Sequence, residues 1–363
     1  MPRLDALGIT RLGDLTGLDR IGISVVQAVR PLALSNAVSQ GKGPNLASAA
    51  VSAIMEAAEQ FFAERVSRFN VTTASAKALG VEAALFSRHL LADAPADWPA
   101  AETAWVEADD LISGERGWLP LELVHTAYVE PPVPSDGLFV ASTTGLACAM
   151  SEARAIRHGL LECIERDAIA RASVTHGFLH RQRIDQETIG CAELAGLMQL
   201  VHDAGLFVAF WAAPAAGGIP VVWCQIMEDG RLPLATPYPA DGFAADPDPA
   251  AAARRALVEA AQSRLAAISG ARDDISRAAF PAYTDWSMIE AHRRLLADGP
   301  RPIDFARLEE AAATASATSV GLLERLAGNG ITTILLVQLD TEPCPELRAV
   351  RVVVPELLPL TEG

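Results

Sequence analysis

Positive charge is scarce in this chain. Its 363 residues hold 29 lysines and arginines against 45 aspartates and glutamates, a formal net charge of −16. Phosphate backbones need a basic surface, so nucleic acid is excluded as a main partner. Long hydrophobic runs are missing as well. No stretch of about 18 apolar residues is present to span a bilayer, which argues against a membrane protein. Met1 to Leu12 spreads charges where a secretory signal needs an apolar core. The five cysteines (Cys148, Cys163, Cys191, Cys224 and Cys344) form no C-x-x-C pair, which argues against a zinc site and fits a reducing, cytoplasmic setting. A Walker A loop is absent too: Lys42 is followed by Gly43 where that loop needs Ser or Thr. Half the residues are hydrophobic and a fifth are charged, so disorder is excluded and a substantial core is available.

What the chain does have is one polar pattern written three times. The stretch Ser39 to Arg65 opens with Gly41, Lys42 and Gly43 and runs into an alanine-rich helix carrying Ser52, Glu56 and Glu59. Steps of four and three keep these side chains within roughly 60° of one another around the helix axis. Val51, Ile54, Met55, Ala58, Phe61 and Phe62 fill the remaining circumference as core material. A helix expected from Ser151 to about Ala172 repeats the spacing with His158, Glu162 and Glu165, followed by Arg166 and Asp167. A third, from about Asp248 to Ser269, repeats it with Arg255, Glu259 and Gln262, plus Arg264. Each stripe alone reads as a solvated helix face. If the three converge, at least four carboxylates meet and repel unless a cation neutralises them. Hard divalent ions such as Mg²⁺ take oxygen ligands and bridge carboxylates to nucleotide phosphates, so the sharp reading is a Mg²⁺–nucleotide site walled by helices.

Around these helices the sequence predicts an α/β fold. Residues 1–20 read as a loosely helical lead, Ile21 to Val29 and Leu32 to Gln40 as strands, and Gly41 to Gly43 as a turn that frees backbone N–H groups for an anion. One short helix is expected near Ala76 to Leu91, and a strand over Phe139 to Met150. Leu206 to Ala213 and Ile219 to Glu228 read as a hairpin around Gly217 and Gly218. Gly270 is the expected residue after the third helix. Helix, strand and strand (Val320 to Ala327, Thr332 to Leu339, Leu347 to Val354) close the chain. The expectation is a single domain of β-sheets packed by helices, with its motif-bearing core in residues 21–275 and a C-terminal helix–strand–strand segment in 276–363. The first two carboxylate helices each follow a strand and a glycine turn, the pattern of an internal pseudo-duplication.

Taken together, the motifs resemble the YcaO family. The residues carrying the resemblance are SQGKG (Ser39 to Gly43) with SAIMEAAE (Ser52 to Glu59), TTGLA (Thr143 to Ala147) with HGLLECIERDA (His158 to Ala168), and EAAQSR (Glu259 to Arg264). The flanking DLTGLDRIG (Asp14 to Gly22) and SGARDD (Ser269 to Asp274) are similar to the subgroup encoded beside a TfuA partner. The resemblance implies an ATP- and Mg²⁺-dependent enzyme that phosphorylates the oxygen of a peptide backbone amide after a nucleophile has added to it. It further implies that Lys42, Ser52, Glu56, Arg166, Glu259, Gln262 and Arg264 contact nucleotide, and that Glu59, Glu162 and Glu165 hold the Mg²⁺ ions. A peptide or protein substrate, a TfuA-like partner and a homodimer are implied in the same way. No residue is singled out as general base.

Three positions depart from the family pattern. Gln60 stands where many members have arginine, Thr144 where an asparagine usually precedes Gly-Leu-Ala, and Arg154 where many place a glutamate. The ending PELLPLTEG lacks the P-x-P-x-P of many azoline-forming members, which favours a thioamide made with external sulfide over an azoline ring. The alternatives are an azoline-forming cyclodehydratase and a YcaO-like protein that binds nucleotide or peptide without chemistry.

Overall fold

Antiparallel pairing organises every sheet among the described residues. The computed structural model describes residues 4–134, 136–229, 239–270, 286–298, 302–312 and 318–360. The first sheet is a meander of β1 (Arg11–Asp14), β2 (Ser24–Val29) and β3 (Val38–Gly43), followed by helix α1 (Leu46–Ala63). Next come β4 (Val71–Ala74), β5 (Thr103–Asp110), β6 (Arg116–Pro120) and β7 (Leu146–Ala149), then α2 (Glu152–Val174), α3 (Phe178–Arg181) and α4 (Ala192–Asp203). A second meander, β8 (Leu206–Ala213), β9 (Val221–Glu228) and β10 (Ala240–Ala245), leads into α5 (Pro249–Ser269). Helices α6 (Trp286–Asp298), α7 (Ala306–Ala312) and α8 (Ser319–Gly328) precede β11 (Leu335–Leu339) and β12 (Arg348–Val353). These last strands join β4, β5 and β7 in the third sheet, ordered β4-β5-β11-β12-β7, with β6 paired to β5.

Three apolar clusters lie under the three long helices. Ile54 and Phe62 of α1 pack with Phe86, Trp105 and Phe139 against the six-stranded sheet. Leu160, Leu161 and Ile164 of α2 pack with Trp211, Val350 and Val352. Ala253, Leu257 and Ala261 of α5 pack with Phe210, Val222 and Ile226. Each large side chain so buried contributes about 1.5–3 kcal/mol, so the apolar face of each helix fixes where its polar stripe must point. The helix starts are also locally encoded: the Asn45 side chain accepts from Ser48 N at 2.9 Å, and Asp248 accepts from Ala250 N at 2.9 Å.

The glycine–lysine–glycine segment is not a turn. It is the end of β3, paired with β2 as Gly41↔Val26, Lys42↔Val25 and Gly43↔Ser24. The glycines are there because α1 crosses directly on the strand: a Cβ at Gly41 would sit 1.9 Å from Ala53 N, and one at Gly43 2.7 Å from the Ser48 Cβ. The second meander repeats the device, with a Cβ at Gly242 of β10 falling 2.1 Å from Ala256 O of α5. The internal likeness in the fold therefore pairs α1 with α5, each lying on the last strand of a three-stranded meander, whereas the sequence paired α1 with α2.

Other expectations differ in detail. Residues 4–20 hold two 3₁₀ turns and β1 rather than a helical lead. The strand expected at Leu32 to Gln40 begins only at Val38, and the helix near Ala76 to Leu91 is a 3₁₀ segment, Ala83–His89. Phe139 makes one isolated bridge to Leu90, and the strand beyond it is confined to β7. The hairpin, the third helix and the closing helix–strand–strand are present, and Gly270 caps α5 with a left-handed φ of 57°. Ala271 to Asp274 of the SGARDD motif lie outside the described residues.

Candidate functional site

The three polar stripes converge. Lys42, Ser52, Glu56, Glu59, Glu162, Glu165, Arg166, Glu259, Gln262 and Arg264 all border one cavity of about 2150 Å³. Convergence follows from packing: α1 lies on β3, α5 touches both β10 and β3, and α2 touches β7, β10 and β12. His158, Thr144 and Arg154 border the same space, as does Gln60, which accepts a hydrogen bond from the Ser35 hydroxyl at 2.6 Å.

Four carboxylates share one geometry: a backbone N–H in or just before β7 or β10 holds one oxygen of each. Cys148 N donates to Glu59 Oε1 at 2.8 Å and Gly145 N to Glu162 Oε2 at 3.1 Å. Ala245 N donates to Glu165 Oε2 at 3.2 Å and Phe243 N to Glu259 Oε1 at 3.4 Å. Three of the second oxygens face two cations. Arg166 lies 3.6 Å from both Glu162 Oε1 and Glu165 Oε1, and Lys42 Nζ donates to Glu259 Oε2 at 2.5 Å. Glu59 Oε2 has no hydrogen-bond partner or ion pair among the described residues. The sequence argument that convergence demands an external cation is thus met in part by the chain itself, through Lys42 and Arg166.

The electrostatics of the four differ accordingly. Burial pushes the Glu59 carboxyl well above the usual range, and Glu162 and Glu56 push the same way against the Cys148 hydrogen bond. Glu165 is pushed up to about 7, by burial first, with Arg166 opposing and Glu259 and Glu162 adding to the rise. Burial would raise Glu259 as well, but Lys42 and Arg166 together hold it below the ordinary value. Among the described residues no group of three or more His, Cys, Asp or Glu side chains stands close enough to hold a metal ion.

Arg264 differs from the other nine. It is 3% exposed, its Nε donates to Asp19 Oδ2 at 2.9 Å, and its Nη2 donates to Glu228 Oε1 at 2.7 Å. Arg20 bonds Glu228 from the other side. These contacts tie α5 to the first and second meanders, and the guanidinium donors that make them are not available to a ligand. Gln262 Nε2 donates to the Gln40 main-chain carbonyl at 2.7 Å, while Gln262 Oε1 and Gln40 Nε2 are buried without a partner among the described residues.

Several cavity residues escaped the sequence reading. Arg157 and Arg255 share Asp246 at 3.3 and 3.4 Å, and Arg254 pairs with Glu193 at 2.7 Å. Arg255 lay on the third stripe, but nothing in the spacing tied it to Asp246. Asp241 of β10 also lines the space. It stands alone beside Gly242, with no periodicity to single it out.

This fold and cavity define a class. The structure of YcaO from Methanopyrus kandleri bound with AMPPCP and Mg²⁺ superposes with a TM-score of 0.72, at 23% identity, over 98% of this chain and 87% of that one. A heterocyclase in complex with substrate and cofactor also gives 0.72, at 19% identity, over 98% and 51% of the two chains. At such identities the likeness is one of fold. Residues 40–358 match the family described as YcaO cyclodehydratase, ATP- and Mg²⁺-binding, and the chain belongs to the YcaO family. It is 32% identical to a protein encoded in the region 3′ of tfuA in Rhizobium leguminosarum bv. trifolii, over 98% of this chain and 85% of that protein. That relative agrees with the TfuA-associated subgroup. A protein of Methanothermobacter thermautotrophicus is 31% identical over 98% and 91% of the two chains. No helix among the described residues is long and apolar enough to cross a membrane.

Proposed function

We propose that the cavity binds ATP with Mg²⁺ and activates a backbone amide of a peptide or protein, giving a thioamide with sulfide as the nucleophile and a TfuA-like protein as partner. The observation that carries this reading is the shared cavity itself: paired acids on α1 and α2, a further acid on α5, and Lys42 and Arg166 between them. The donor set fits the implied ligands. Glu59 offers an unpartnered oxygen whose charge is disfavoured by burial, Glu162 and Glu56, and a hard cation neutralises that arrangement. Glu59, Glu162 and Glu165 would hold the Mg²⁺ ions. Lys42, Ser52, Glu56, Arg166, Glu259 and Gln262 would surround the nucleotide, and Lys42 and Arg166 would exchange their carboxylates for phosphate oxygens.

In this reaction sulfide adds to the amide carbon, the amide oxygen is phosphorylated, and its departure as phosphate with loss of the S–H proton leaves C=S. Bound ATP would supply the phosphoryl group. The protein's part is to position the reacting oxygen and to balance charge, the larger share of catalysis in phosphoryl transfer. Titration calorimetry with ATP tests the first step: binding is expected with Mg²⁺ and lost with EDTA. With TfuA, sulfide and a peptide substrate, the expected product carries sulfur in place of one amide oxygen. No ATP binding in either condition, with the TfuA partner present, would overturn the reading. A loss of water from the peptide without sulfur uptake would favour azoline formation instead.

A further inference from the structure

Asp241 is a carboxylate that the cavity holds ready and that the acids and cations above do not use. It sits on β10 opposite Gln225 of β9. Trp223 Nε1 and Gln225 Nε2 both donate to its Oδ1, at 2.6 and 2.7 Å. Oδ2 has no partner among the described residues, and Asp241 lines the same cavity as Glu165 and Glu259. Its holders are themselves held. The Trp223 ring stacks on Phe178 at 5.7 Å and meets Phe243 edge-on at 5.3 Å. The Gln225 carbonyl oxygen pairs with His292 Nε2 of α6 at 3.1 Å, which fixes which end of the amide faces Asp241.

No cation pairs with this carboxylate among the described residues, and neutral donors alone offset its burial. A half-buried acid without a counter-ion costs stability even where neutral donors hold one of its oxygens. Glu162, Glu165 and Glu259 face Arg166 or Lys42, and Glu59 is crowded by two other acids. Asp241 alone of these has one oxygen fixed and the other turned to no competing charge. That is the geometry of a group that takes a proton.

We propose that Asp241 is the proton acceptor of the amide-activating reaction: Oδ2 takes the S–H proton of the sulfide adduct as the carbon–oxygen bond breaks toward phosphate and a sulfur electron pair closes C=S. The assignment rests on the function proposed above. Burial raises the proton affinity of Asp241 to about pH 6, against the two hydrogen bonds, close to neutrality where proton transfer in both directions is efficient. The titratable neighbours are the Cys224 thiol on β9 and His292 on α6. Glu259 and Arg254 of α5 and Glu165 and Arg166 of α2 share the cavity.

The test compares wild type, Asp241→Asn and Trp223→Phe with TfuA, sulfide and peptide across pH 5 to 9. Wild-type turnover is expected to rise along an acidic limb centred near pH 6. Asp241→Asn should bind Mg²⁺-ATP as wild type does yet lose about a hundredfold or more in kcat, with KM for peptide unchanged. Trp223→Phe removes a hydrogen bond that favours the ionised form, so its limb should move to higher pH with the plateau kept. Asp241→Asn turnover within about threefold of wild type, or a limb unmoved in Trp223→Phe, would overturn the assignment alone. Wild type that binds Mg²⁺-ATP but modifies no peptide would overturn the proposed function, and the assignment with it.

Discussion

Replacing Glu165 by Gln should make the ligand-free protein more stable at neutral and alkaline pH. The folded carboxyl loses its proton near pH 7, against an ordinary value of 4.5. Between these values the unfolded chain ionises first, so the folded state binds more protons and loses stability as pH rises. At about 1.4 kcal/mol per pH unit the ceiling of that loss is roughly 3 kcal/mol, complete above pH 7. Glutamine keeps an acceptor for Ala245 N but gives up the 3.6 Å contact with Arg166, which offsets part of the gain. A net gain of about 1–3 kcal/mol at pH 8 is expected, against almost none at pH 4.5. For a chain of this length that corresponds to about 1–4 °C in Tm. Thermal unfolding of both proteins in EDTA, in steps from pH 4.5 to pH 8, reads the difference directly. A gap that fails to widen with pH, or a variant less stable than wild type at pH 8, would refute the electrostatic account.

Glu59→Gln should abolish Mg²⁺-dependent ATP binding in calorimetry while leaving the circular dichroism spectrum unchanged; retained binding would remove Glu59 from the metal set. Arg264→Met strands the buried Asp19 and Glu228 carboxylates, and a loss of about 3–5 kcal/mol is expected in urea unfolding. A loss below about 1 kcal/mol would mean that Arg20 alone satisfies Glu228. Gly41→Ala forces α1 off β3 and should cost at least about 1–3 kcal/mol by the same measurement, with weaker ATP binding because Ser52, Glu56 and Glu59 move together.

How much of this was legible in the sequence depended on the range of the interaction. Steps of four and three placed Ser52, Glu56 and Glu59 on one stripe, and likewise Glu162 with Glu165 and Glu259 with Gln262, because helix geometry is local. The same locality gave Asp248 and Gly270 as the ends of α5. The glycines at 41 and 43 misled, since a turn and a strand pressed under a helix both need a residue without a side chain, and only the crossing of α1 tells them apart. The ion pairs of Arg264 were out of reach for a similar reason: its partner Asp19 lies 245 residues away, and no spacing announces it. The strand amides that hold the four acids could not be read at all, because backbone donors have no residue identity. Asp241 became visible only through Trp223 and Gln225 on the neighbouring strand.

The helix-on-strand contacts also sort the cavity wall for anyone redesigning it. Ala49, Ala53, Ala256 and Ala260 are fully buried where α1 and α5 ride on Gly41 and Gly242. A larger residue at any of them would lever a whole row of acids out of line. Leu197 on α4 and Leu360 near the C-terminal end border the same space without that constraint. Variation meant to reshape the cavity belongs on that side, where it leaves the charge geometry undisturbed.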